Sequence, residues 1–212
     1  SAFEYGSILC FGIDPIMEKI PKREETIENT IISYYSQIID SALEQNRSFS
    51  ALKPNYAFFA QYGFEGLRAL KTLIERYSGK IPIIFDGKRT DIGNTSYAYA
   101  KEIFDFWKAD ATTIFPYMGT DSMLPFIEKC KIGKGVYVIC KTSNPGSSDF
   151  QDLLIDKREL FLEVALKVSK LFLPGVGVVA GATKPEDIEK IMWIFYDAQK
   201  KAPFLIPGVG TQ

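Results

Sequence analysis

Short, nearly unbroken apolar runs recur along the chain at residues 8–13, 49–52, 81–85, 111–115, 135–140, 176–180 and 204–206. Between them lie longer stretches, ETIENTIISYYSQIIDSALEQ, GFEGLRALKTLIERY, SYAYAKEIFDFW, DSMLPFIEKC, RELFLEVALKVSKLF and PEDIEKIMWIFYDAQKK, in which apolar residues return every third or fourth position. The first pattern predicts strands buried on both faces, and the second predicts amphipathic helices laid on a sheet. Strict alternation of the two predicts parallel strands, because a parallel pair needs a crossover helix and is covered on both sides. Asp121 and the Lys184-Pro185 pair are the predicted starts of their helices, by capping and by the fit of proline to the first helical position.

This many strand–helix repeats exceeds a small open sheet, and no GxGxxG turn follows the first run as a dinucleotide fold requires. The predicted fold class is therefore α/β, a (β/α)8 TIM barrel, with residues 1–212 forming a single domain. The sequence stops at LIPGVGTQ, just past the seventh strand. A barrel short of one strand leaves two edges unpaired and its core open. The eighth strand–helix unit is accordingly expected beyond Gln212. The step from LLID to KREL near residue 156 reads either as a second omitted piece or as a short loop.

Composition narrows the chemistry. With 212 residues, 46% of them apolar, the chain can build one sizeable core. A formal charge of −1 predicts neither a nucleic-acid nor a membrane-surface partner and leaves small polar molecules open. There is no histidine, so chemistry falls to Lys, Asp, Glu, Ser or Tyr. Cys10, Cys130 and Cys140 lack metal-type spacing, and Cys10 and Cys140 sit inside apolar runs. They read as reduced core thiols of a cytoplasmic protein. No apolar stretch approaches the roughly 18 residues of a membrane span, and SAFEYGS lacks the basic start of a signal peptide.

In a barrel of this kind, residues just after each strand face one common mouth. Those residues are Asp14, Lys53, Asp86 with Lys88, Lys141 with Thr142 and Ser143, Thr183, and the PGVGTQ loop; the fourth strand runs into PYMGTD, uncharged until Asp121. Asp86 and Lys88 lie two apart on an extended segment and so project to one face, and Lys53 comes from the neighbouring strand. Two readings fit this convergence. One is an active site, and the other is a structural ion-pair network sealing the barrel top.

The sequence resembles the orotidine 5'-monophosphate decarboxylase family along nearly its whole length, in the wording of the family's longer branch. The motifs that carry the resemblance are FGIDP, LKPNYAFFAQYG, FDGKRTDIGNT, PYMG, CKTSNPGS, VVAGAT and LIPGVGTQ, in that order. D-x-K-x-x-D alone is shared with other sugar-phosphate enzymes of the superfamily; joined to LKPN, TSNPGS and PGVGTQ it is highly specific. The resemblance implies that Lys53, Asp86, Lys88 and Asp91 form a catalytic Lys-Asp-Lys-Asp tetrad. It also implies a homodimer, in which Asp91, Ile92 and Thr95 reach the partner's site. Asp14 matches the ribose-hydroxyl ligand, Ser143 the residue that reads the pyrimidine edge, and Gln212 the loop glutamine that spans from base to phosphate. The family's phosphate-gripping arginine follows the eighth strand, so a strand ending in Gly-Arg is expected after Gln212.

The implied reaction is cofactor-free and metal-free decarboxylation of orotidine 5'-monophosphate to uridine 5'-monophosphate, in pyrimidine synthesis. It leaves a vinylic carbanion with nothing to spread the charge, so a cation must be in place beforehand. Lys88 is the candidate, flanked by carboxylates that favour its charged form, and it would also deliver the final proton. The alternatives are a magnesium-dependent sugar-phosphate decarboxylase or synthase on the same barrel, and an inactive nucleotide-binding barrel. The first would hold its metal on acidic strand-end residues, a pattern that Lys53 and TSNPGS fit less well.

Overall fold

The computed structural model describes residues 6–45 and 49–209, grouped into two compact units. The first holds the chain up to residue 87 together with 101–112, and the second holds 88–100 together with the chain from 113 onward.

In the first unit, β1 (Cys10–Ile13) pairs in parallel with β2 (Ala51–Pro54), in a register running from Cys10 against Ala51 to Ile13 against Pro54. Bridges from Leu52 to Ile83 and from Asn55 to Asp86 extend this ladder to the third apolar run, where β3 (Ile84–Arg89) begins. The start of β4 (Ala111–Ile114) lies alongside, since the Ala111 N–H donates to the Ile83 carbonyl at 3.0 Å and the Thr112 hydroxyl to that of Phe85 at 2.8 Å. Ile13, Leu52, Ile83 and Phe85 are all buried, as strands covered on both faces require.

The helices of this unit follow from their caps and apolar stripes. Helix α1 (Ile27–Glu44) starts at Thr26, whose side chain accepts the Asn29 N–H. The Glu65 carboxylate takes the next free donors, the N–H groups of Ile27 and Glu28. An acid at a helix start satisfies orphan donors and complements the helix dipole. Helix α2 (Tyr56–Ala60) leads into α3 (Gly63–Tyr77), which buries Ala69, Leu70, Leu73 and Ile74 on one stripe. Gly66 faces α2 so closely that a Cβ there would lie 1.9 Å from the Phe59 carbonyl oxygen.

In the second unit, β5 (Gly135–Lys141), β8 (Val176–Ala180) and β9 (Phe204–Leu205) form a parallel sheet in that order. Its helices are α4 (Gly93–Lys101), α5 (Thr120–Ile127), α6 (Leu160–Lys170) and α7 (Pro185–Asp197). The step near residue 156 is a tight antiparallel hairpin of β6 (Leu154–Ile155) and β7 (Arg158–Glu159). Asp156 and Lys157 both have positive φ, the geometry of a two-residue turn that matches strand twist.

Each apolar run predicted as a strand overlaps one, but the boundaries move. Ile8 and Leu9 precede β1 and are exposed, whereas β2, β3 and β5 run on through Lys53, Asp86 and Lys141. A backbone ladder continues wherever N–H and C=O find partners, whatever the polarity of the side chains. Arg158 and Glu159, predicted as helical, belong to the hairpin. Asp121 sits inside the first turn of α5 rather than at its cap, because Gly119 at φ 98° turns the chain two residues earlier. Pro185 does occupy the first position of α7.

Lys141 lies inside β5 and is 1% exposed. Its ammonium pairs with Asp152, lies 3.8 Å from Asp187 at the start of α7, and rests 5.0 Å from the centre of the Phe161 ring in α6. Burial pushes the Asp187 carboxyl above its ordinary range, with Lys141, Lys190 and Lys184 opposing. The Lys141 hydrogen bond is the main cause holding Asp152 below its ordinary value.

Two stability predictions follow from these contacts. Alanine usually stabilises a helix interior over glycine by about 1 kcal/mol, yet Gly66→Ala should lower stability by about 1–3 kcal/mol through backbone overlap, read from urea midpoints. Lys141→Met should cost about 3 kcal/mol at pH 7, by stranding buried carboxylate charge. The sign with pH is fixed. Asp187, raised on folding, penalises the fold as pH rises, and Asp152, lowered on folding chiefly by Lys141 and further by Lys184, stabilises it only above its unfolded range. The deficit of Lys141→Met should therefore shrink as pH falls toward 4.5, and urea unfolding across that range measures it.

Candidate active-site residues

In the first unit, LKPN ends β2 abruptly because the Asn55 side chain accepts the Ala57 N–H and starts α2. Lys53 is thereby left at the carboxyl end of the strand. Its Nζ donates to Asp86 Oδ2 at 3.1 Å, with the two side chains 15% and 8% exposed. Burial works against this ammonium, but Asp86 and then Asp14 outweigh it, and Lys53 is held above the ordinary lysine value. Lys53, Asp86 and Asp14 thus form one charge group.

Neighbouring acids in this group stay neutral. Burial raises the Cys10 thiol to about 11, with Lys53 pulling the other way. Burial, followed by the Asp14 charge, pushes the Tyr35 hydroxyl far above its usual range, although that hydroxyl is also hydrogen-bonded to the Asp14 backbone. Burial likewise raises Cys130 to about 11 and Cys140 further. The three cysteines are free thiols rather than thiolates, so they supply no nucleophile at neutral pH.

The second unit carries Lys88, Asp91, Ile92, Thr95 and Ser143. The backbone at Lys88 is left-handed, at φ 48°, with its N–H donating to Thr113 Oγ1 at 3.1 Å. This corrects the expectation that Asp86 and Lys88 share a face by extended-strand alternation. The strand periodicity breaks at Lys88, whose side chain is exposed whereas Asp86 is buried. A non-glycine residue with φ > 0 costs about 1 kcal/mol or more and clusters at functional positions. The other such residues sit in the hairpin turn or just after helical segments.

Asp91 closes the turn ahead of α4. Its Oδ1 accepts the Ile92 N–H at 2.7 Å, and its own N–H donates to Ser96 Oγ at 3.2 Å. The Ser96 hydroxyl in turn donates to the Ser122 carbonyl at 2.7 Å. Ile92, at 64% exposure, and Thr95 stand in solvent. Ser143 follows β5, half-buried, and its carbonyl accepts the Thr183 hydroxyl at 3.2 Å. Gly181 packs beneath it so tightly that a Cβ would fall 2.7–2.9 Å from Ser143 atoms. Gln212 lies outside the described residues.

Lys141 was expected at the mouth among the strand-end polar residues, and the structure instead buries it against α6 and α7. Asp152 and Gln151, which contact Lys141 and Thr142, carried no sequence signal beyond their place in a polar loop. A groove of about 410 Å³ lined by Ser33, Ser36, Asp40, Glu44 and Arg76 lies along α1 and α3, remote in the chain from every strand end. Its Arg76 is already paired with Asp40.

Comparison with known proteins gives a consistent result. The family described as Orotidine 5'-phosphate decarboxylase / HUMPS matches residues 7–212. The curated orotidine 5'-phosphate decarboxylases of Herpetosiphon aurantiacus and Ralstonia pickettii are 39% and 41% identical to the chain. Each match covers 97% of this chain, and 75% and 74% of the respective relatives. Among solved structures, Leishmania donovani OMP decarboxylase is 36% identical with a TM-score of 0.80, over 96% of this chain and 75% of that one. Leishmania donovani UMP synthase is 37% identical with a TM-score of 0.83, and the chain spans 42% of its length. The fold is the parallel β/α barrel type of these enzymes, and the chain belongs to the orotidine 5'-phosphate decarboxylase / HUMPS family.

Proposed function

We propose that the chain is a carboxy-lyase that converts orotidine 5'-monophosphate to uridine 5'-monophosphate, the decarboxylation step of pyrimidine nucleotide synthesis, without metal or cofactor. The observation that carries this reading is the buried Lys53–Asp86 pair at 3.1 Å, beside Asp14, residues that the sequence resemblance assigns to the catalytic and ribose-binding positions. A buried ion pair is weak as a stabilising device, since desolvation cancels much of its attraction. A use in chemistry accounts for it better.

In this proposal the bond between the pyrimidine ring and its carboxylate breaks, carbon dioxide leaves, and the electron pair stays on the ring carbon. The Lys88 ammonium stabilises that charge as it grows and then transfers its proton to the same carbon. Lys53 pairs with Asp86 and holds it in place, and Asp14 receives a ribose hydroxyl. Ser143 reads the pyrimidine edge, and Gln212 is assigned the reach from base to phosphate. The protein acts as a homodimer in which Asp91, Ile92 and Thr95 of one subunit complete the site of the other. The exposure of Ile92 supports this, since an apolar side chain standing in solvent is what a second subunit would cover. A cytoplasmic location is part of the proposal, and the three free thiols support it. Among the described residues no helix is long and apolar enough to cross a membrane.

Lys88→Ala should lower kcat by about 10⁴-fold or more, with a melting midpoint within about 3 °C of the parent because the side chain is exposed. Activity within tenfold of the parent would remove Lys88 from the mechanism. Mixing Lys88→Ala and Asp91→Ala chains tests the shared site. Random reassortment makes half the dimers mixed, each with one intact site, so activity should return to about a quarter of the parent value. Mixed dimers verified by mass and still inactive would refute sharing.

A further inference from the structure

The loop after β5 contains a hydrogen-bond chain whose polarity is fixed. The Thr142 backbone N–H donates to Gln151 Oε1 at 2.9 Å, and Gln151 Nε2 donates to Thr142 Oγ1 at 2.8 Å. A backbone N–H can only donate, so it dictates which end of the amide faces it. The Thr142 hydroxyl, already accepting from Nε2, sends its own hydrogen to Asn144 Oδ1 at 2.7 Å. Residues 142 and 144, on either side of Ser143, are thus tied to one glutamine side chain.

That glutamine is itself immobilised. Its N–H donates to the Ser147 carbonyl at 2.9 Å, and its carbonyl accepts the Phe161 N–H at 3.1 Å. Next to it, Asp152 bridges the buried Lys141 and Lys184, the latter at 3.2 Å. On the opposite side, Thr183 holds the Ser143 carbonyl and Gly181 leaves room for nothing larger beneath it.

We infer that Gln151 is a positioning residue for pyrimidine recognition: by gripping Thr142 at both its N–H and its hydroxyl, it fixes the direction in which Ser143 meets the base. The inference rests on the assignment of Ser143 to the pyrimidine edge. Gln151 touches no substrate in this account and acts only through residues 142–144. Preorganisation of this kind removes the entropy of ordering a loop on binding, so its loss appears in KM before it appears in the chemical step.

The test compares Gln151→Leu, Gln151→Glu, Ser143→Ala and the Gln151→Leu/Ser143→Ala double variant, using orotidine 5'-monophosphate as substrate and ribose 5-phosphate as a base-free competitor. Gln151→Leu and Ser143→Ala should each raise KM about tenfold, the size of one lost hydrogen bond to the base. The double variant should be no worse than Ser143→Ala alone within about twofold, because the two act through one contact. Ribose 5-phosphate inhibition should be unchanged in all four. Gln151→Glu keeps size but accepts only, turning the Thr142 hydroxyl away from Asn144, and should show an intermediate KM. It also serves as the readout if Gln151→Leu does not fold. Additive losses in the double variant, weakened ribose 5-phosphate binding, or a Gln151→Glu KM equal to the parent would each overturn the role of Gln151. An unchanged KM in Ser143→Ala, by contrast, would overturn the base-reading assignment beneath it.

Discussion

A lysine ammonium sunk at the end of a parallel strand persists only beside a carboxylate. Taking one such ion out of water costs several kcal/mol even after relaxation, comparable with the whole stability of a domain. In β2 that constraint is met by Asp86 at 3.1 Å, with Asp14 adding to it. The pair therefore has to form as the first unit folds, and its charges are fixed before any ligand arrives. Cys10 and Tyr35, which border the same group, stay protonated in its field and under the same burial, so the local charge resides on Lys53, Asp86 and Asp14.

The same constraint recurs at Lys141 and is satisfied in a different way. Here the ammonium serves two carboxylates, Asp152 from the loop after β5 and Asp187 from the start of α7, and it lies over the Phe161 ring. An ion of this kind has no exposed face with which to meet a ligand. What it does is tie a loop and two helices to one strand. The loop it ties is the one that carries Ser143, so the same charge anchors the segment in which a candidate binding residue sits.

Both lysines follow an apolar run, LK in one case and ICK in the other, and nothing local distinguishes them. Strand positions were legible because burial on both faces leaves continuous apolar runs; strand ends were not, because the ladder outlasts the apolar residues in β2, β3 and β5. The candidate site was legible to the extent that its motifs resemble those of a family. Lys88 at φ 48° was not, since a left-handed lysine has no compositional marker and the extended alternation assumed for it fails there. Gln151 was invisible for a further reason: its role depends on a hydrogen-bond direction imposed by a backbone N–H, which only coordinates reveal.

If Asp86 meets the substrate carboxylate, the repulsion between them invites a ground-state explanation of the rate. Two like charges about 4 Å apart repel by roughly 4 kcal/mol at an effective dielectric near 20. Difficult reactions need barrier lowering on the order of 20 kcal/mol. Repulsion also acts on binding, where it must be offset by contacts elsewhere on the nucleotide. The larger share then has to come from charges arranged before the reaction begins and from binding energy at the distant phosphate. That is the regime for which a prefixed Lys53–Asp86 pair and a loop held rigid around Ser143 are suited, because neither has to reorganise as charge moves onto the ring.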